Sequence, residues 1–256
     1  MSGIIAALTG AFFAYDGWVN ITFIAGEIKE PQRNIPKSLF TGVMACVIVY
    51  VLVNQAYLYV LPGETIASSS LVASDAIAVA FGTTGQAIVA AMIVICTLGA
   101  LNGNIMATTR VTYAMGRDRL FAASTGKEHP RYHTPGNALW LHAAWISMLI
   151  ISGSFDMLAD MMVFMSWVVY GMGAVGIFLL RKKMPELPRP YKIWMHPITT
   201  ILFILFAAFF LIVTLYNDIN NYMHDRQPVV NSLLGILITA AGIPVYYYYR
   251  FKRKKQ

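Results

Sequence analysis

Apolar residues in this chain come in long blocks rather than in alternation, at about residues 3–26, 38–61, 85–109, 137–153, 161–180, 197–216 and 229–249. Each block is close to the ~20 residues a helix needs to cross the hydrocarbon core of a bilayer. Backbone amides and carbonyls find no water there, so such blocks must satisfy themselves as helices. The pattern predicts an all-α integral membrane protein with seven transmembrane helices.

The first block is interrupted. Between Gly3 and Gly26 the single charged residue is Asp16, set in Phe12-Phe13-Ala14-Tyr15-Asp16-Gly17-Trp18. A carboxylate at membrane depth costs roughly 2.5–3.5 kcal/mol on insertion scales, so it calls for a partner, a cavity or a task. Gly17 lets the backbone leave the helix at that point. Two short apolar stretches around a charged, glycine-bearing break describe a discontinuous membrane helix, the device from which transporters build midplane substrate sites.

Composition and charge sharpen this picture. Of the 256 residues 57% are apolar and only 12% charged, about half the charged fraction of a soluble domain. The net charge of +7 could suggest nucleic acid, but its distribution points to a bilayer instead. Eighteen of the 19 basic residues fall in alternate loops and the C-terminal tail, and Arg226 alone falls on the other side among Glu64, Asp75, Asp156, Asp160, Asp218 and Asp225. By the positive-inside rule the N-terminus is outside and the C-terminus cytoplasmic, in the cell (plasma or inner) membrane, which requires an odd number of spans. Cys46 and Cys96 both lie in apolar blocks and suggest neither a disulfide nor a metal site. No cleavable signal peptide is visible, and an N-out helix starting so close to Met1 suggests a piece of a longer protein.

Candidate chemistry outside the first block is sparse. Glu27 to Lys37 holds Pro31 and Pro36, which predict a stiff, mixed-charge hinge. The outer stretch 62–85, with Ser68-Ser69-Ser70, predicts a short helix over the outer mouth, as lid or as packing. Asn102 and Asn104 in the third block suit close helix contact or a lining role. His129 and His133 are separated by Pro130 and have no carboxylate or cysteine to complete a metal set. His142 reads as an interfacial or packed histidine rather than a proton relay. Ser166-Trp167 and Tyr170-Gly171 offer a polar and aromatic wall, whereas the last two blocks read as scaffold ending in a tyrosine belt and basic anchor.

Phe13-Ala14-Tyr15-Asp16-Gly17-Trp18 followed by Ala25-Gly26-Glu27-Ile28-Lys29-Glu30-Pro31-Gln32-Arg33-Asn34-Ile35-Pro36 resembles the broken sixth helix and following loop of the amino acid–polyamine–organocation permeases, nearest the L-type amino-acid transporter branch. Asn102-Gly103 through Arg110, Met115-Gly116-Arg117-Asp118, residues 127–139 and Pro188-Arg189-Pro190-Tyr191-Lys192 are similar to later parts of that family. The resemblance implies a partial LeuT-type inverted-repeat transporter covering helices six to twelve. Residues 1–180 would then be the second five-helix repeat, and 181–256 two additional helices with a basic cytoplasmic tail. The first repeat, including its own broken helix and a basic residue on the fifth helix, would be supplied by a partner half.

The expected function is amino-acid transport by a permease or exchanger through alternating access, with the chain either a working portion or a truncated or split permease inactive alone. The substrate contacts are expected at Phe13, Ala14, Tyr15, Asp16, Gly17 and Trp18, with Asn20, Asn102, Ser166 and Tyr170 as lining. Carbonyls near Phe13, Ala14 and Tyr15 at the end of a helix would suit an ammonium group. The alternatives are a structural bond from Asp16 to a neighbouring helix and simple packing of Phe13 and Trp18. No catalytic residue, metal or cofactor is expected. A seven-helix receptor shares the helix count, but the last block has no lysine and the first is broken. A membrane enzyme would need catalytic groups converging at one depth, and the sequence offers none.

Overall fold

The computed structural model describes residues 2–69, 71–189 and 191–254. Ser70 and Pro190, both within motifs named above, lie outside the described residues. In chain order the helices are α1 (Ser2–Ala14), α2 (Asn20–Phe23), α3 (Pro31–Val60), α4 (Gly63–Ser68), α5 (Val72–Arg117), α6 (Gly136–Ser152), α7 (Phe155–Lys183), α8 (Ile198–Met223), α9 (Asn231–Ala240) and α10 (Gly242–Lys254). No strand occurs among the described residues.

All seven apolar blocks are helical, but they differ in reach. Among the described residues five stretches are long and apolar enough to cross a membrane: α3, α5, α7, α8 and the run Asn231–Phe251 through α9 and α10. The apolar α6 has 17 residues, and the first block is split into α1 and α2. The chain is therefore a multi-pass membrane protein by helix length and composition.

Breaks in the helices follow from local chemistry. Pro244 has no amide hydrogen to give Ala240, and the last block divides there into α9 and α10. Gly82 takes φ 60° and ψ −155°, a combination open mainly to glycine, and bends α5 near its start. The expected hinge at Pro31 and Pro36 is shorter than the prolines suggest. Pro31 sits at the first helical position, where its missing amide hydrogen is harmless, and the helix runs on through Pro36. The hinge is confined to the residues before Glu30, which adopts a left-handed φ of 46°. The outer stretch forms the short α4, after which α5 begins well ahead of the apolar block.

The chain divides into two compact units, Met1–Asp16 with Val111–Gln256, and Gly17–Arg110. In the first, α7 packs against α1, α8 and α9. Its core gathers Val163 and Trp167 of α7 with Ala207 and Phe210 of α8, and Leu8 and Phe12 of α1 close over them. Phe12 meets Trp167 at 4.5 Å between ring centroids and Phe210 edge-on at 5.1 Å. Trp167 stacks on Phe203 at 5.7 Å. Such pairs add to the area they bury by about 0.5–1.5 kcal/mol each, and they fix α1 against α7. Ser154 accepts a hydrogen bond from the Met157 amide and so caps the start of α7.

Candidate functional site

The helix of the first block ends at Ala14, and residues 15–19 form a turn before α2. Gly17 carries φ +99°, which a side chain tolerates poorly, so the glycine is what permits the chain to leave the helix here. The predicted break is present at the predicted residues.

In the first unit, Asp16 is tied to α7. Tyr170 Oη donates to Asp16 Oδ1 at 3.0 Å, and Ser166 lies one turn earlier on α7. Two expected site residues thus form one half-buried polar pair, and Asp16 gains the partner its depth demands. This bond to a neighbouring helix is one of the two roles the sequence left open for Asp16. Phe13 packs edge-on against Phe155 at 5.6 Å, while its neighbour Phe12 goes to the core. The turn itself uses the end of α1: the Tyr15 amide donates to the Ala11 carbonyl and the Asp16 amide to that of Phe13. Ala14, Tyr15 and Trp18 each make interactions of their own.

In the second unit, the Asn20 amide donates to the Gly17 carbonyl at 3.0 Å and starts α2. The Asn20 side chain donates from Nδ2 to Asn104 Oδ1 of α5 at 2.7 Å. Sequence reasoning named Asn102 as the lining residue, but Asn104 is the one that reaches Asn20. Two residues apart on a helix lie about 200° around its axis, so Asn102 and Asn104 occupy different faces and only one can meet a given partner. Nothing local in Asn102-Gly103-Asn104 distinguishes them.

Elsewhere, His142 of α6, which the sequence reads as an interfacial or packed histidine, bonds Thr112 Oγ1 at 2.8 Å. Among the described residues no group of three or more His, Cys, Asp or Glu is placed to hold a metal ion. Within the first unit Tyr170 fixes the orientation of the Asp16 carboxylate, and within the second Asn104 fixes that of the Asn20 amide.

Comparison with known proteins decides the family. Residues 1–241 match the family described as amino acid permease. The chain belongs to that family. It is 31% identical over 245 residues to the serine/threonine exchanger SteT of Bacillus subtilis (strain 168), covering 94% of this chain and 54% of that protein. It is 28% identical over 257 residues to the human large neutral amino acids transporter small subunit 2, covering 98% and 45%, and 28% identical over 248 residues to the human cystine/glutamate transporter, covering 95% and 46%. These relatives place the permease chain on the L-type branch of its superfamily, among membrane transporters and not enzymes. The chain spans about half the length of the curated relatives it matches.

Proposed function

We propose that this permease chain is the C-terminal portion of an amino-acid permease or exchanger that works by alternating access. The observation carrying the reading is the break at Asp16-Gly17: a left-handed glycine at φ +99°, a carboxylate fixed by Tyr170, and an asparagine fixed by Asn104. A discontinuous helix of this kind exposes backbone carbonyls and amides within the membrane, where they replace the hydration of a zwitterion. In this reading Phe13, Ala14, Tyr15, Asp16, Gly17 and Trp18 contact the amino acid, and Asn20, Asn102, Ser166 and Tyr170 line its path. Asn104 positions Asn20.

The finer architecture belongs to the same proposal. Seven transmembrane helices, the first broken, make up helices six to twelve of a LeuT-type inverted-repeat fold. Residues 1–180 form its second repeat and 181–256 two further helices and the basic tail. The N-terminus faces out and the C-terminus the cytoplasm of the cell, in its plasma or inner membrane, as the charge distribution favours. The substrate class is a neutral amino acid, in keeping with relatives named for serine, threonine and large neutral amino acids.

A second reading rests on a specific observation, the coverage of about half of each relative. In it the chain is inactive until a five-helix N-terminal half joins it. Uptake of labelled serine, threonine and leucine into proteoliposomes separates the two. Saturable uptake by the chain alone supports the first reading. Uptake only after the N-terminal half of a relative is co-reconstituted supports the second.

A further inference from the structure

Two membrane-spanning runs end beside one another within the first unit. One is α5, which closes at Arg117, and the other is the run Asn231–Phe251 through α9 and α10. Phe121, just past α5, meets Tyr249 of α10 with ring centroids 5.6 Å apart, both side chains half-buried. The loop that carries Phe121 is itself held in place. The Leu120 amide donates to the Met115 carbonyl at 2.9 Å, and Asn137 of α6 donates from Nδ2 to the Ser124 carbonyl at 2.8 Å. Gly116 and Gly126 approach so closely that a Cβ on Gly116 would lie 2.4 Å from the Gly126 amide nitrogen.

The contact gathers charge of one sign. Arg250 follows Tyr249, and Lys252, Arg253 and Lys254 complete the last turn of α10. On the other side of the contact Arg117, Arg119 and Lys127 flank Phe121. Two acids share that loop, Asp118 and Glu128, and Glu128 is engaged by the Tyr113 hydroxyl, which donates to it at 2.5 Å. Arg117 and Arg250 are exposed and lie over rings, 5.8 Å from the centroid of Tyr113 and 5.9 Å from that of Tyr246. Among the described residues no ion pair ties either of these two arginines to a carboxylate. A guanidinium over a ring still offers N–H donors that fit the oxygens of a phosphate.

We propose that the ends of α5 and α10 together form one binding site for the phosphate headgroup of an anionic phospholipid. A lipid rather than a soluble polyanion is the occupant because both flanks are ends of spans, which puts their arginines at headgroup depth. Tyr247, Tyr248 and Phe251 of α10 are exposed beside Arg250, and such rings favour the same interfacial level. A basic tail alone is drawn to any anionic surface, whereas the Phe121–Tyr249 contact makes one site of two segments far apart in sequence. Binding requires no transport, so this proposal and the proposed function can fail separately.

The test uses the purified chain in detergent micelles, titrated with labelled dioleoylphosphatidylglycerol and, as zwitterionic counterpart, dioleoylphosphatidylcholine. Phosphatidylglycerol binds saturably and more weakly as salt is raised, and phosphatidylcholine binds at least about tenfold more weakly. Arg117→Gln and Arg250→Gln each weaken phosphatidylglycerol by about threefold to tenfold. Phe121→Ala removes no charge, yet weakens it by a similar factor because the two basic ends separate. Lys182→Gln removes the same charge from the exposed end of α7 and leaves binding within about twofold of wild type. The exposed arginine substitutions keep the wild-type melting temperature, so they decide the matter even where Phe121→Ala unfolds. Four results overturn the proposal. They are phosphatidylcholine bound as well as phosphatidylglycerol, glycerol 3-phosphate or a labelled oligonucleotide bound more tightly than the lipid, folded Phe121→Ala protein that binds as wild type, and Lys182→Gln weakening binding as much as Arg250→Gln.

Discussion

Tyr170 Oη donates a 3.0 Å hydrogen bond to Asp16 Oδ1, joining residues 154 positions apart in the chain. The bond fastens a residue of the helix break to the middle of α7. It gives a carboxylate inside an apolar block the polar partner without which it would be costly.

Tyr170→Phe keeps the ring against Trp167 and removes only the hydroxyl. We expect a loss of about 1–2 kcal/mol of stability, between the values for hydrogen bonds to charged groups and for those between membrane helices. Thermal unfolding in detergent measures it. Asp16→Asn, which still accepts from the tyrosine, loses less than Tyr170→Phe.

Gly17→Ala places a Cβ on a backbone with φ +99°. Space is available, since the nearest atom, Asn20 Nδ2, would be 3.8 Å away, so the penalty is conformational. It amounts to about 1–3 kcal/mol, and the variant recovers by extending α1 through the turn. Increased helicity in circular dichroism with a lower melting temperature is the expected signature.

Asn20→Ala and Asn104→Ala destabilise by similar amounts, and the double variant is less destabilised than the sum, with a coupling of about 0.5–1.5 kcal/mol. Asn102→Ala, assayed alongside by chemical denaturation, shows no coupling to Asn20.

Gly126→Ala disrupts the C-terminal end of α5. A Cβ there would lie 2.5 Å from the Arg117 amide nitrogen and 2.6 Å from the Gly116 carbonyl carbon, both rigid backbone. We expect about 1–3 kcal/mol of destabilisation and faster limited proteolysis between residues 118 and 135.

The helices and the break were legible because each has a local cause. Apolar blocks must be helical in a membrane, and Asp16-Gly17 interrupts one of them with a charge and a permissive backbone. What escaped the sequence depends on tertiary register. Pro36 reads as a breaker, but a helix starting at Pro31 loses a single bond, to Gln32, by including it. Asn104 rather than Asn102 meets Asn20 because of the rotation of α5. The hydrogen bond from Tyr170 to Asp16 joins candidates that the sequence named separately. The bonds from Asn231 to Asp160 and from Ser232 to Asp218 could not be read from the chain either, since they join residues of α7 and α8 to the distant start of α9.

The central claim is that the break at residues 13–18 contacts a transported amino acid. Its most direct test is saturable uptake of labelled serine into proteoliposomes holding this chain with the five-helix half of a relative. Asp16→Leu is compared with Ser154→Ala, a cap substitution outside residues 13–18, and a full-length relative serves as the active control. The account predicts uptake that survives Ser154→Ala and is abolished by Asp16→Leu in protein that remains folded. Uptake unaffected by Asp16→Leu, or none beside an active full-length relative, would contradict it.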